Sequence, residues 1–135
     1  MQLSSVRILV VDDFEPWRRF ASSLLRGKPE LQVVGEASDG LEAVQKAVEL
    51  KPDLILLDLH LPRLSGLEAA RQIRKLAPES KIIFLSQESS DDIVQAALSL
   101  GAWGYVVKAS AASELLVAVE AVLSGKSFVS GTRAD

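Results

Sequence analysis

Apolar residues fall into five short runs: Arg7 to Val11, Gln32 to Gly35, Leu54 to Leu57, Lys81 to Leu85 and Gly104 to Val107. Three of these read almost continuously apolar, which suits strands covered on both faces and predicts a parallel sheet under helices. Between the runs, apolar positions recur at helical spacing. Trp17, Phe20, Ala21, Leu24 and Leu25 form one such stripe, and Leu115, Leu116, Val119, Val122 and Leu123 form another. Local signals agree with this division. Pro16 fits the first turn of a helix, where a missing N–H does no harm. Asp39 with Glu42, and Ser65 with Glu68, have the spacing of capping boxes. Gly27 and Gly101 stand where helices should stop, and Pro52 and Pro78 follow helix ends. The pattern is (βα)5. It predicts an α/β fold: a doubly wound, parallel five-stranded sheet with right-handed crossovers.

A length of 135 residues fits one domain and is short for two. The net charge of −3 argues against this segment gripping nucleic acid by itself, which needs a basic face. There is no cysteine, so neither disulfides nor thiolate metal sites contribute. The start lacks the layout of a signal peptide, and no apolar run approaches the ~20 residues of a membrane span. A soluble, cytoplasmic protein without membrane contact is expected.

In doubly wound sheets, sites form outside the carboxyl ends of the strands. The residues there are Asp12 and Asp13 after the first strand, Asp58 after the third, Ser86 after the fourth and Lys108 after the fifth. Three carboxylates packed together repel and call for a hard cation with oxygen ligands, for which Mg²⁺ fits best. Lys108 adds a fixed positive charge and Ser86 a hydroxyl donor. Such a set suits a phosphoryl group whose oxygens are shared among metal, lysine and hydroxyl, and a carboxylate can be the nucleophile that forms an acyl phosphate. Each residue also has a plainer reading. An Asp-Asp pair often just opens a helix, where acids suit the dipole. Ser86 can begin a turn with Gln87 and Glu88. His60, the single histidine, reads as a loop side chain, Tyr105 as a strand aromatic, and Trp17 as core packing on the first helical stripe.

Leu9-Val10-Val11-Asp12-Asp13, then Asp58-Leu59-His60-Leu61-Pro62 with Gly66, then Leu85-Ser86, then Gly104-Tyr105-Val106-Val107-Lys108 resemble the receiver domains of two-component response regulators. The similarity runs from about Val6 to Gly125, with all four motifs in order. It implies a flavodoxin-like receiver fold with strand order 2-1-3-4-5. It also implies that Asp58 accepts a phosphoryl group from the phosphohistidine of a sensor histidine kinase. Asp13 would bind Mg²⁺ directly, Asp12 mainly through water, and Asp58 and the backbone carbonyl of His60 would complete the protein ligands. Ser86 and Lys108 would hold the phosphoryl oxygens. Ser86 and Tyr105 would form the switch, coupling the site to the face of the fourth helix, fifth strand and fifth helix. His60, Gln87 and Glu88 would tune access and rate.

The tail, through Gly101-Ala102-Trp103-Gly104-Tyr105 and Ser124-Gly125-Lys126-Ser127-Phe128, is similar to the NarL/FixJ (LuxR-type) regulators. These carry a C-terminal helix-turn-helix DNA-binding domain. The core is therefore expected over about residues 6–125 of one receiver domain, with 126–135 the start of a linker to an output domain absent here. Either the chain is a piece of a longer transcription regulator, or it is a single-domain regulator. Two residues depart from the family pattern. Gln87 stands where a small residue usually borders the phosphoryl site, and Ala109 follows the lysine where most receivers have proline. Trp103 is a candidate contact with an output domain or with a second receiver in a homodimer formed on phosphorylation; packing over the fourth helix is its plainer reading.

Three other functions compete. A haloacid-dehalogenase-like phosphatase needs an Asp-x-Asp after the first strand, which Asp12-Asp13-Phe14-Glu15 does not supply. A flavodoxin-like flavin carrier needs a first loop that cradles phosphate, which Asp12 and Asp13 would repel. A pseudo-receiver would never take phosphate, although all five site residues are present. No enzyme acting on a separate substrate is expected, only phosphorylation and dephosphorylation of Asp58 itself.

Overall fold

The computed structural model describes residues 5–130. The elements run β1 (Val6–Val11), α1 (Glu15–Leu25), β2 (Leu31–Ala37), α2 (Gly40–Leu50), β3 (Leu54–Leu57), α3 (Gly66–Leu76), β4 (Lys81–Ser86), α4 (Asp91–Ser99), β5 (Gly104–Val107), a single 3-10 turn (Lys108–Ser110), α5 (Ala111–Leu123) and β6 (Phe128–Val129). The strands form one parallel sheet in the order β2-β1-β3-β4-β5-β6. Among the described residues, no helix is long and apolar enough to cross a membrane.

Strand alternation divides the core into two layers. Leu9, Val11, Ile55, Leu57, Ile82, Phe84 and Tyr105 face α2, α3 and α4, where they meet Ala43, Ala47, Ile73, Val94 and Ala97. Ile8, Val10, Leu54, Leu56, Ile83, Leu85 and Val106 face α1 and α5, meeting Ala21, Leu25, Leu115, Val119 and Val122. All four residues of β3 are buried, as a central strand covered on both sides requires. Small residues on the buried faces of α2 and α3 let both helices approach the sheet closely.

The sheet has six strands, one more than the five expected. Phe128 and Val129 pair with Gly104 and Tyr105, and the Ser130 N–H donates to the Tyr105 carbonyl at 2.7 Å. Phe128 and Val129 are therefore in the sheet, within the span expected as the start of a linker, and 131–135 lie outside the described residues. The physical reason is the open backbone edge of β5, whose groups need partners. Gly125, at φ +85°, reverses the chain after α5 and delivers it there. A run of two residues is too short to carry a periodic signal.

The expected caps form in part. Asp39 accepts the Glu42 N–H at 2.8 Å and Ser65 accepts the Glu68 N–H at 3.2 Å. In α2 the return bond goes one residue further out: Glu42 accepts from the Ser38 N–H at 2.8 Å. That bond, before any other cause, holds the Glu42 carboxyl below its ordinary range.

The N-terminus of α3 is wedged against the end of β3. A Cβ on Gly66 would lie 2.0 Å from the Asp58 carbonyl oxygen and 2.7 Å from the Leu59 Cα. Both obstacles are backbone, so no rotamer can relieve them. Gly66→Ala is expected to destabilise the fold by about 1–3 kcal/mol, the ordinary range for overpacking. Urea unfolding of the two proteins measures it, and an unchanged midpoint would show that the β3–α3 junction yields freely.

Candidate functional site: an acidic cleft closed by one lysine

Parallel register brings the chemistry together. Val11 and Leu57 are partners on β1 and β3, so the residues that follow them, Asp12 and Asp58, leave the sheet side by side. The Asp58 N–H donates to the Val11 carbonyl and the Asp12 N–H to the Ala37 carbonyl, each at 3.1 Å. Ser86 is paired with Val107 at the ends of β4 and β5, and Lys108 comes next. Its ammonium lies 2.7 Å from Asp12 Oδ2 and 3.3 Å from Asp58 Oδ2. Lys108, Asp12 and Asp58 are all buried.

Asp12 is fixed from several sides. Its Oδ1 accepts the Phe14 N–H at 2.9 Å, and its carbonyl takes an Arg18 N–H at 2.7 Å. Arg18 is held in turn by Glu36, with Nε 2.8 Å from the carboxylate. Asp13 is exposed at the rim. Asp12, Asp13 and Asp58 each offer one carboxylate oxygen, and these atoms lie within 4.8 Å of one another. Burial pushes the Asp58 carboxyl up from the ordinary aspartate range; the Lys108 charge pulls it down and the Asp12 charge pushes it up again. Three acids against one ammonium leave negative charge uncompensated, and an all-oxygen donor set of this size fits a hard divalent cation.

The cleft holds about 310 Å³ and is lined by Asp12, Asp13, Asp58, His60, Gln87 and Lys108, all expected at the site, together with Phe14 and Trp17. Phe14 was no candidate from sequence, and Trp17 was assigned to the core. Trp17 does pack on the α1–α5 layer, but its ring also faces the Lys108 ammonium, 4.9 Å from the ring centroid. The signal available was positional: Phe14 follows the Asp pair directly, and Trp17 lies one helical turn further on.

Ser86 and Tyr105 are fully buried behind the cleft and meet through Glu88. The Glu88 N–H donates to Ser86 Oγ at 3.2 Å, and the Tyr105 hydroxyl donates to the Glu88 carbonyl at 2.7 Å. Burial, the largest cause, pushes the Tyr105 phenol up from its ordinary range. The Glu88 carboxylate reaches out to His60 Nε2 at 3.0 Å, so the exposed side chains of two loops meet at the mouth. The His60 N–H donates to Asp58 Oδ1 over a long 3.4 Å.

Trp103 stands apart. It packs on the α1–α5 layer, whereas Tyr105 belongs to the opposite layer. The Lys81 ammonium covers its ring at 4.2 Å from the centroid. It lies on the opposite side of the sheet from Tyr105 and from the α4 residues that Tyr105 meets.

A family model described as the response regulator receiver domain matches residues 8–120. The transcriptional regulatory protein LiaR of Bacillus subtilis (strain 168) is 40% identical over 121 residues, covering 90% of this chain and 57% of LiaR. The response regulator protein VraR of Staphylococcus aureus (strain Mu3 / ATCC 700698) is 40% identical over 123 residues, covering 91% of this chain and 59% of VraR. The chain thus spans less than two thirds of the length of these relatives. Among solved structures, a two-component response regulator of the LuxR family from Aurantimonas sp. SI85-9A1 superposes with a TM-score of 0.88 at 36% identity, over 93% of this chain and 89% of that one. The chain that carries this cleft belongs to the response regulator receiver domains of two-component systems.

Proposed function

We propose that Asp58 is a phosphoacceptor that takes a phosphoryl group from the phosphohistidine of a sensor histidine kinase, in a reaction dependent on Mg²⁺. One observation carries the reading: Lys108, from a strand two places away, bridges Asp58 and Asp12 at the floor of a cleft that gathers three acids. Asp13, Asp58 and the His60 carbonyl would hold the metal, with Asp12 acting mainly through water. When bound, Mg²⁺ neutralises charge on the carboxylates and on the phosphoryl oxygens.

The Asp58 carboxylate oxygen bonds to phosphorus as the nitrogen–phosphorus bond of the donor breaks, and the donor's imidazole leaves with the electron pair. Charge moves from the carboxylate onto the phosphoryl oxygens. Lys108, already 3.3 Å from Asp58 Oδ2, needs only a small shift to follow it. Ser86 would supply a hydroxyl to the same oxygens, its O–H donating while its Oγ accepts the Glu88 N–H. The output is proposed to be transcriptional, through a DNA-binding domain C-terminal to residue 130. The names of LiaR and of the LuxR-family neighbour support that reading.

Asp58→Asn is expected to abolish labelling by acetyl phosphate while leaving the fold intact, and chelation of Mg²⁺ is expected to stop labelling of the wild type. Intact mass reads both. An Asp58→Asn protein modified at Asp12 or Asp13 with wild-type yield would overturn the assignment. A wild type that never gains the mass of a phosphoryl group would make the chain an interaction module.

Gln87 is exposed on the cleft wall, where its amide narrows the approach to Asp58. Gln87→Ala is expected to speed both acetyl-phosphate labelling and loss of the label, which labelling and decay time courses followed by intact mass would read. Unchanged or slower rates would show that this side chain does not obstruct the donor or the attacking water.

A further inference from the structure

No motif marks Trp17, yet it touches the one cation of the cleft. We propose that Trp17 is a positioning residue for phosphoryl transfer: its ring face holds the Lys108 ammonium in register with Asp58. The inference rests on Asp58 being the phosphoacceptor.

An ammonium has three N–H donors and no acceptor. Asp12 Oδ2 stands 2.7 Å from the Lys108 nitrogen and Asp58 Oδ2 stands 3.3 Å from it. The Trp17 ring centroid, at 4.9 Å, lies inside the ~6 Å range of a cation–π contact and offers the third direction an electron-rich face. Lys108 is only 8% exposed, so little water competes, and such contacts strengthen when desolvated.

The third contact matters because lysine is a point charge on a flexible stem. With two carboxylates alone, the ammonium is drawn toward whichever bears more charge. The 2.7 Å contact shows it already leaning toward Asp12. During transfer, charge leaves the Asp58 carboxylate for the phosphoryl oxygens, and the ammonium must move with it. A ring face is broad and does not change its charge, so it can carry the ammonium through that movement.

Trp17 is itself anchored. It meets Phe20 edge to face, with centroids 5.2 Å apart and planes at 86°. On its other side it walls an apolar hollow shared with Phe14 and Pro16. Trp17 and Phe14 thus lie on both the acidic cleft and the apolar hollow.

The experiment compares labelling by acetyl phosphate at saturating Mg²⁺ in wild type, Trp17→Phe and Trp17→Leu, each also with Lys108→Met. Leucine should fill the apolar space without a ring, whereas phenylalanine keeps a weaker ring. Trp17→Leu is expected to slow labelling about tenfold and Trp17→Phe less, as the order of ring strengths requires. Mg²⁺ affinity, from calorimetry, should be unchanged in both, because Trp17 touches no carboxylate oxygen of the set. In the Lys108→Met background, Trp17→Leu should have no further effect. A second readout is emission from Trp17 in a Trp103→Phe protein, which should shift when Lys108→Met removes the cation. Wild-type rates in Trp17→Leu, or equal slowing in both backgrounds, overturn the proposal. If Trp17→Leu does not fold, wild-type rates in Trp17→Phe with emission indifferent to Lys108→Met overturn it. A wild type that does not label overturns the phosphoacceptor reading and this inference with it. A wild type that labels, with indifferent Trp17 variants, overturns this inference alone.

Discussion

One buried ammonium among three carboxylates is the constraint on which the rest of this molecule turns. Lys108 is 8% exposed, and a charge taken that far from water is tolerated only where opposite charges and donors' partners surround it. Asp12 and Asp58 meet that need, and the parallel register of β1 with β3 and of β4 with β5 is what delivers all three to one place. Slipping either pairing by one residue would reverse the faces of every core side chain on that strand. The hydrophobic layers therefore hold the site in register as firmly as they hold the fold.

The same arrangement leaves negative charge that one lysine does not offset. Lys108 offsets one unit of charge, and Asp58 still feels both its own burial and the neighbouring Asp12 as forces favouring its neutral form. A nucleophile must be ionised. On the proposed reading, Asp13 and Asp58 would hold a divalent cation, whose charge would favour the ionised form of Asp58 and offset the repulsion among the acids.

Much of this was legible in the chain. β3 reads as Leu54-Ile55-Leu56-Leu57 and is buried throughout, because a central parallel strand leaves no polar face to confuse the pattern. The residues at the strand ends followed from topology, and the cleft brings Asp12, Asp13, Asp58 and Lys108 together. What escaped has a common cause. β6 is two residues long, and only the open edge of β5 makes it a strand. Trp17 lies on a stripe that periodicity assigns to the core, and its position on α1 places the ring both on the core layer and on the cleft wall. The plainer reading of Trp103 puts it over the fourth helix, whereas it packs on the α1–α5 layer. Periodicity reports which side of an element is buried, and it is silent about what waits at the element's end.

Glu88 is the residue through which Ser86, Tyr105 and His60 are joined. Its N–H rests on Ser86 Oγ, its carbonyl takes the Tyr105 hydroxyl, and its carboxylate meets His60. Ser86 Oγ accepts in the first of these contacts, so its own O–H is left to donate toward the site. Tyr105 is buried with a hydroxyl that must keep a partner, since an unpaired buried hydroxyl costs about 1–3 kcal/mol. The Glu88 carbonyl is that partner here. On the proposed reading, this one backbone unit would join the Ser86 hydroxyl to an aromatic ring packed toward α4.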